Sequence, residues 1–160
     1  MDPILTPNRY LLIAVILLAS LLTACDKNPG LADIRDQGSI TVITRNGPTT
    51  YYENKDGATG FEYELAKLFA DYLGVELNII VVHTIDDIFN ALDKNQAHLA
   101  AAGLTITPER QQRFEFSPAY MDVQQHLIYH NRRKKPSSVD DILNSRIMVM
   151  ANSSHAEILG

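Results

Sequence analysis

The chain has 160 residues, which is enough for about one domain, and its 46% hydrophobic and 21% charged residues are ordinary for a globular protein. The net charge of −5 argues against a general affinity for nucleic acid, so no nucleic-acid partner is expected. The one basic run, residues 132–135, is typical of a solvated loop.

The N-terminus predicts a lipoprotein signal peptide over residues 1–24. Residues 10–25 read YLLIAVILLASLLTAC, an apolar run shorter than the roughly 20 residues that span a bilayer. Its end, Leu-Thr-Ala-Cys, resembles a bacterial lipobox, in which the cysteine is lipidated and becomes residue one of the mature protein. We expect lipid on Cys25, the only cysteine, and a location on the periplasmic face of the bacterial cell envelope, anchored to the inner or outer membrane. The alternative is a plain signal peptide or an anchor helix with a chance cysteine.

Alternating strand and helix patterns follow the lipidated cysteine, tether and short helix of residues 25–37. β-Branched or alternating apolar runs predict strands over residues 39–45, 75–82, 97–106, 122–130 and 146–151. Helical periodicity predicts a helix from Phe61 that ends at Gly74, with an apolar stripe of Phe61, Leu65, Leu68, Phe69, Tyr72 and Leu73. Capping signatures predict three further helices: Thr84 with Asp87, Ser138 with Asp141, and Ser154 with Glu157. In the helix after Thr84, the buried face is expected to be Ile85, Ile88, Phe89 and Leu92.

This order predicts a parallel, doubly wound α/β layer. Ligands bind such sheets at the carboxyl ends of the strands. Three loops meet there: RNGPTTYYENKDG, GLTITPER and ANSSH.

The loop GLTITPER is the first candidate for a binding site. Gly103 lets a ligand approach the backbone, Thr105 offers a hydroxyl, and Arg110 offers a planar guanidinium that matches a carboxylate in two-point geometry. A helix start with a surface arginine explains the same residues, and spacing alone leaves the two interpretations open.

Two further loops offer weaker signals. Ser153 and Ser154 precede a predicted helix and suit an anion site, although Ser154 as a simple cap fits equally well. Tyr51 and Tyr52 follow the first strand and either stack on a ligand or line a loop.

Other chemistries lack support in the sequence. His126 and His130 have no carboxylate or third ligand placed beside them, so no metal site is expected. No glycine-rich phosphate loop and no Ser/His/Asp set with supporting motifs occurs, so neither a cofactor nor a catalytic residue is expected in this chain.

These motifs together resemble the bacterial solute-binding protein family 3, from about Gly38 to the chain end. AAGLTITPERQQRFEFSPAY is similar to the family's Gly-x-Thr-x-Thr-x-Glu-Arg followed by Phe-Ser-x-x-Tyr. The resemblance implies a two-lobe type II periplasmic binding fold in which Arg110 clamps the α-carboxylate of an amino acid. Thr105 and the backbone at Gly103 would contact the same ligand. The second-lobe loop of Asn152, Ser153 and Ser154 would complete the carboxylate site.

Two segments, GSITVITRNGPTTYYE and GFEYELAKLFADYLGVEL, resemble one subgroup of this family more than its other members. In that subgroup the binding-like domain precedes a lytic transglycosylase domain that cuts peptidoglycan. The resemblance implies a first lobe over residues 38–121 and a second lobe, truncated, over residues 122–160. The expected chain is thus the N-terminal piece of a longer protein, with an amino acid or muropeptide-type ligand, the membrane through lipid on Cys25, and peptidoglycan through the missing catalytic domain as partners. A lipoprotein amino-acid receptor of an ABC importer remains the alternative. A soluble enzyme with the same fold is the third hypothesis.

Overall fold

A computed structural model describes residues 30–159. The predicted signal peptide, the predicted lipidation site Cys25 and all of the tether before Gly30 lie outside the described residues. Within residues 30–159, no helix has the length and apolar character needed to cross a membrane.

The fold is an α/β layer built around a three-stranded sheet. In chain order the elements are α1 (Leu31–Gln37), β1 (Ser39–Arg45), β2 (Tyr52–Asn54), β3 (Gly57–Thr59), α2 (Phe61–Leu73), β4 (Glu76–Val82), α3 (Ile85–Asp93), β5 (Leu99–Ala100), α4 (Pro108–Gln111), α5 (Val139–Leu143) and α6 (Ser154–Leu159). The sheet has the order β4-β1-β5 and is parallel throughout, with β1 and β4 in register from Ser39↔Glu76 to Arg45↔Val82. β2 and β3 form a separate antiparallel pair.

Helices cover both faces of this sheet, which confirms the predicted doubly wound layer. Successive residues of β1 point to opposite faces. Ile40 and Val42 pack on the face covered by α1 and α2, whereas Ile43 packs on the face covered by α3. Because both faces are buried, β1 reads as the β-branched run SITVITR rather than an alternation of apolar and polar residues.

The predicted helix ends are confirmed at three places. Gly74 follows α2 with a φ of 72°, a left-handed conformation that suits glycine. The Thr84 hydroxyl accepts a hydrogen bond from the Asp87 amide at 3.1 Å and so caps α3. Ser138 and Asp141 form the predicted capping box at the start of α5.

The buried face of α2 differs from the predicted stripe. Ala66, Ala70 and Leu73 face the sheet, Phe69 is partly buried, and Glu62 is 1% exposed. The remaining stripe residues point outward, with Leu68 at 66% exposure: Phe61, Leu65, Leu68 and Tyr72. The small alanines let the helix axis approach the strands closely, so the helix packs on its small residues rather than on its large ones.

Three predicted strands also differ from the structure. The third strand is only Leu99–Ala100, because the chain turns at Gly103, where φ is 64°. Residues 122–130 and 146–151 carry the alternating pattern of strands but are not strands here, and Ile128 and Met148 are 90% and 95% exposed. A strand needs a neighbour for its N–H and C=O groups, and within residues 30–159 these two segments have none.

Candidate functional site

Arg110 is held at the carboxyl edge of the sheet by a short helix that the sequence specifies well. Thr107 caps α4, since its hydroxyl accepts a hydrogen bond from the Arg110 amide at 3.3 Å. Pro108 occupies the first turn, where its missing N–H costs nothing. The result is an arginine only 4% exposed, turned towards the protein rather than to solvent.

A carboxylate of the chain is already paired with the Arg110 guanidinium. Glu157 Oε1 accepts from Arg110 Nε at 2.9 Å and lies 2.7 Å from Nη2. Glu157 Oε2 accepts from the Thr107 hydroxyl at 2.8 Å. The two side chains are only 5% and 17% exposed, so this ion pair is poorly screened by solvent. The site is therefore shaped to bind a carboxylate, and here the carboxylate comes from the chain itself.

Two carbonyl groups complete the coordination of Arg110. Nη1 donates to Thr105 O at 3.2 Å and Nη2 donates to Asn152 O at 3.2 Å. The face of the guanidinium lies 5.3 Å from the ring centre of Phe89, which in turn stacks on Phe114 at 5.1 Å. The ring and the two carbonyls fix the plane of the guanidinium, which favours two-point binding of a carboxylate.

A cavity of about 170 Å³ adjoins Arg110. Phe89, Asn152, Glu157 and Arg113 are among the residues that line it. Ligand pockets are commonly about 300–1,000 Å³, so this space is small for an amino acid. Glu157 takes part of the volume that a guest carboxylate would need.

The capping prediction for Ser154 and Glu157 is wrong. α6 begins at Ser154, and it is Ser153 whose hydroxyl accepts from the Ala156 amide at 3.3 Å. Glu157 does not reach back to the helix start, because a buried guanidinium attracts a carboxylate more strongly than a backbone amide does.

The polar residues of the second candidate loop meet the first loop. The Ser154 hydroxyl donates to Thr105 Oγ1 at 3.1 Å. Asn152, with a φ of 57°, directs its carbonyl to Arg110 and its side-chain amide to Asp86 at 2.7 and 2.8 Å. The structure thus brings together four residues singled out from the sequence, listed here in chain order: Thr105, Arg110, Asn152 and Ser154. Ser153 lies beside them, with its hydroxyl on Met150 O at 2.6 Å.

Gly103 is also engaged by a carboxylate of the chain. Its amide donates to both carboxylate oxygens of Glu62, at 2.9 and 2.8 Å. Tyr120 donates its hydroxyl to the same carboxylate. Glu62 is 1% exposed and thereby ties the start of α2 to the loop that leads to Arg110.

The two tyrosines lie apart from Arg110. Tyr51 packs edge-on against Tyr63 of α2 at 5.5 Å and donates its hydroxyl to Glu53 at 2.8 Å. It lines a separate cavity of about 350 Å³ between α2 and β4. Tyr52 is 37% exposed in β2, paired with Thr59.

Sequence reasoning missed four residues of the site: Glu62, Phe89, Thr107 and Glu157. Only Thr107 carried a local signal, because a threonine directly before proline is a typical helix start. Glu157 was predicted to cap its own helix with Ser154, Glu62 lies among the first residues of the predicted helix from Phe61, and nothing in their neighbourhood indicates the distant partner.

The Tyr120–Glu62 hydrogen bond predicts an alkaline loss of stability. Burial, then the hydrogen bond and the charge of Glu62, raise the pKa of Tyr120. Because the folded-state pKa is above the unfolded value of about 10, the stabilisation is fully present below pH 10 and is lost as the pH rises further. We expect Tyr120→Phe to lower the free energy of unfolding by about 1 kcal/mol at pH 8, and this difference to shrink above pH 10.

Urea unfolding at several pH values between 8 and 11 measures that difference. Tyr52→Phe is the matched control, since the exposed Tyr52 hydroxyl makes no hydrogen bond among the described residues. A wild-type-to-Tyr120→Phe difference that stays constant across the range contradicts the prediction.

The sequence matches the family described as bacterial extracellular solute-binding proteins, family 3, over residues 40–158. It is 39% identical over 161 residues to the membrane-bound lytic murein transglycosylase F of Hahella chejuensis, covering 99% of this chain and 31% of that protein. The protein of the same name from Saccharophagus degradans is 43% identical over 129 residues, covering 81% of this chain and 26% of that protein. The chain therefore spans less than a third of the length of these curated relatives.

Solved structures of binding proteins have the same fold. A mutant of ArgBP from T. maritima matches with a TM-score of 0.68 at 26% identity, over 81% of this chain and 57% of that one. The arginine-bound form of domain 1 of TmArgBP matches with a TM-score of 0.52 at 32% identity, over 56% and 72%. An ancestral cationic amino acid solute binding protein gives 0.52 at 36% identity, over 57% and 40%.

Proposed function

The chain belongs to the bacterial extracellular solute-binding proteins, family 3, and from that premise we propose that it binds a small molecule through a free carboxylate held by Arg110. The observation that carries the proposal is the buried Arg110 guanidinium with a carboxylate already on it, 2.7 Å from Nη2. The ligand class is an amino acid or a short peptide, in keeping with the arginine-bound and cationic amino acid-binding proteins that share the fold.

Glu157 stands where the ligand carboxylate would bind. A guest that displaced it would gain Nε and Nη2 of Arg110 and the hydroxyl of Thr107 as donors. Such charge-assisted bonds are about twice as strong as neutral ones, and the low exposure of the site preserves that strength. Thr105 and the Gly103 backbone would contact the same guest, together with the loop of Asn152, Ser153 and Ser154, whereas contacts from Tyr51 and Tyr52 would require those residues to move.

The similarity to membrane-bound lytic murein transglycosylase F supports a regulatory role. In this proposal the chain is the N-terminal solute-binding-like domain of a membrane-anchored lytic murein transglycosylase, with a signal peptide over residues 1–24, lipid on Cys25, a first lobe over 38–121 and part of a second lobe over 122–160. A muropeptide-type ligand would close the lobes and bias an enzyme acting on peptidoglycan. Such control requires the ligand to bind one lobe arrangement more tightly than the other.

A lipoprotein receptor of an ABC importer is the second candidate, because a solute-binding protein is among the solved structures that match. The reading frame after codon 160 distinguishes the two. A helical domain with a Glu-Ser pair supports the transglycosylase, and a stop after the returning strands, beside permease genes, supports the importer.

Isothermal titration of the complete gene product with free amino acids and dipeptides tests the binding proposal. We expect at least one such carboxylate to bind, and Glu157→Gln to strengthen its binding by about 10-fold, because the internal competitor is removed. Blocking the ligand's carboxylate as an amide should abolish the gain.

Glu109→Gln is the matched control for this experiment. Glu109 is exposed on α4 beside the same cavity and forms no ion pair within residues 30–159. Glu109→Gln removes the same charge, but the Glu109 carboxylate forms no ion pair with Arg110, so the variant should leave affinity nearly unchanged. A panel in which no carboxylate binds, or in which Glu157→Gln weakens binding, contradicts the proposal.

A further inference from the structure

Arg45 is a second arginine at the same edge of the sheet. It is the last residue of β1, paired with Val82 at the end of β4. Its Nη2 donates to Ala102 O at 3.3 Å, so the side chain extends towards the loop that follows β5. Because strand residues two apart share a face, Arg45 lies on the face of Ile43, which is the face covered by α3.

The hydrogen bonding of Arg45 is incomplete. Its Nε is buried and has no partner, the one side-chain nitrogen or oxygen of this kind among the described residues. An unpartnered buried donor is unfavourable, more so when it is charged. A structural arginine of this fold would be expected to have that donor satisfied.

Polar groups at the end of β1 and at the loop around Gly103 already have hydrogen-bond partners. The Thr44 hydroxyl donates to Ala101 O at 2.5 Å, and the Thr50 hydroxyl donates to Arg45 O at 2.6 Å. Glu62 accepts from Gly103 and Tyr120. In the part of the chain that the structure describes, the ion pairs are Arg110 with Glu157 and Arg113 with Asp93, so Arg45 has no carboxylate.

Arg45 and Arg110 bind carbonyls of one loop. Arg45 binds Ala102 O and Arg110 binds Thr105 O, on either side of the bend at Gly103. Three residues of chain span at most about 10–11 Å, which sets an upper bound on the separation of these two backbone positions and is of the order of the length of a small peptide. Arg110 is paired with a carboxylate of the chain, whereas within residues 30–159 Arg45 is paired with no carboxylate.

We propose that Arg45 forms a second anion subsite beside Arg110, and that the ligand is an amino acid or peptide with a second acidic group. The inference rests on the proposed function, since it takes Arg110 as the site of the first carboxylate. Arg45 then determines specificity: it selects a side-chain or terminal carboxylate over the neutral amide of the same shape.

The test compares acidic and neutral isosteres by titration calorimetry on the complete gene product. The probes are L-glutamate with L-glutamine, and L-alanyl-L-glutamate with L-alanyl-L-glutamine. We expect the wild type to prefer the acidic member of at least one pair by about 10-fold or more, and Arg45→Gln to reduce that preference to within about 2-fold. Arg35→Gln, which removes an exposed charge from α1, should keep it.

The outcomes separate the two proposals. Binding that depends on Arg110 but shows no acidic preference in the wild type, or keeps its preference in Arg45→Gln, overturns the second subsite alone. Failure of all four probes to bind overturns the proposed function for this ligand class and the subsite with it. If Arg45→Gln does not fold, the wild-type preference decides, and Arg45→Lys, which keeps the charge but lacks Nε, should retain only part of it.

Discussion

Replacing Arg110 with glutamine is expected to weaken the binding of free-carboxylate amino acids and peptides by about 100-fold or more. Removing one partner of a buried ion pair costs about 3–5 kcal/mol, which corresponds to a factor of at least about 100 in affinity. Arg110 is 4% exposed and is fixed by hydrogen bonds to Thr105 O and Asn152 O, so its guanidinium is already held in position for a guest carboxylate. Calorimetry with the tightest-binding probe measures the loss.

A loss of binding in Arg110→Gln must be separated from a loss of folding. The single variant leaves the Glu157 carboxylate, 17% exposed, without its partner, and this is itself destabilising. The double variant Arg110→Gln/Glu157→Gln removes both charges and should recover stability without recovering affinity. Arg113→Gln is the position control, because Arg113 is 53% exposed and pairs with Asp93 instead. Unchanged affinity in the double variant would refute a carboxylate clamp at this position.

Replacing Gly60 with alanine is expected to reduce the free energy of unfolding by about 2–6 kcal/mol. Gly60 has φ 135° and ψ 145°, a conformation essentially restricted to glycine and costing about 1–3 kcal/mol elsewhere. An added Cβ would press on Thr50 O and lie 2.8 Å from Thr50 C and 3.0 Å from Tyr51 Cα. Overpacking of this kind adds about 1–3 kcal/mol.

The backbone around Gly60 is held by hydrogen bonds and cannot easily shift to relieve the clash. The Glu62 and Tyr63 amides donate to Thr49 O and Thr50 O, both at 3.1 Å. These hydrogen bonds hold the start of α2 against Thr50, the residue with which the added methyl group would clash. Gly57→Ala is the matched control: its φ is 115°, but the added Cβ has nothing within 4 Å. Urea unfolding should show a clearly larger loss for Gly60→Ala than for Gly57→Ala, and equal losses would show that the contact with Thr50 is unimportant.

The central layer could be predicted from the sequence because its signals are local. The β-branched run of β1, the glycine after α2 and the Thr84 cap of α3 each act within a few residues of chain. The family matched over residues 40–158 agrees with the resemblance based on the GLTITPER loop. Arg110 itself was a candidate because a planar guanidinium that follows the end of a strand suits a carboxylate, and because GLTITPER resembles the family motif.

What the sequence could not predict depends on partners far away in the chain. Glu157 lies 47 residues from Arg110, and Glu62 lies 41 residues from Gly103. Residues 122–130 and 146–151 have the alternation of strands, but alternation specifies a face and not a neighbour. The buried face of α2 was misassigned for a related reason, since the close approach allowed by Ala66 and Ala70 outweighed the larger apolar side chains.

The carboxylate of Glu157 on Arg110 also has a kinetic consequence. For a guest that binds Arg110 as proposed, Glu157 has to leave first, so association would contain a unimolecular step whose rate does not depend on guest concentration. In stopped-flow mixing, the observed rate should therefore level off as guest is added instead of rising linearly towards the encounter limit. The plateau rate would equal the rate constant for dissociation of Glu157 from Arg110.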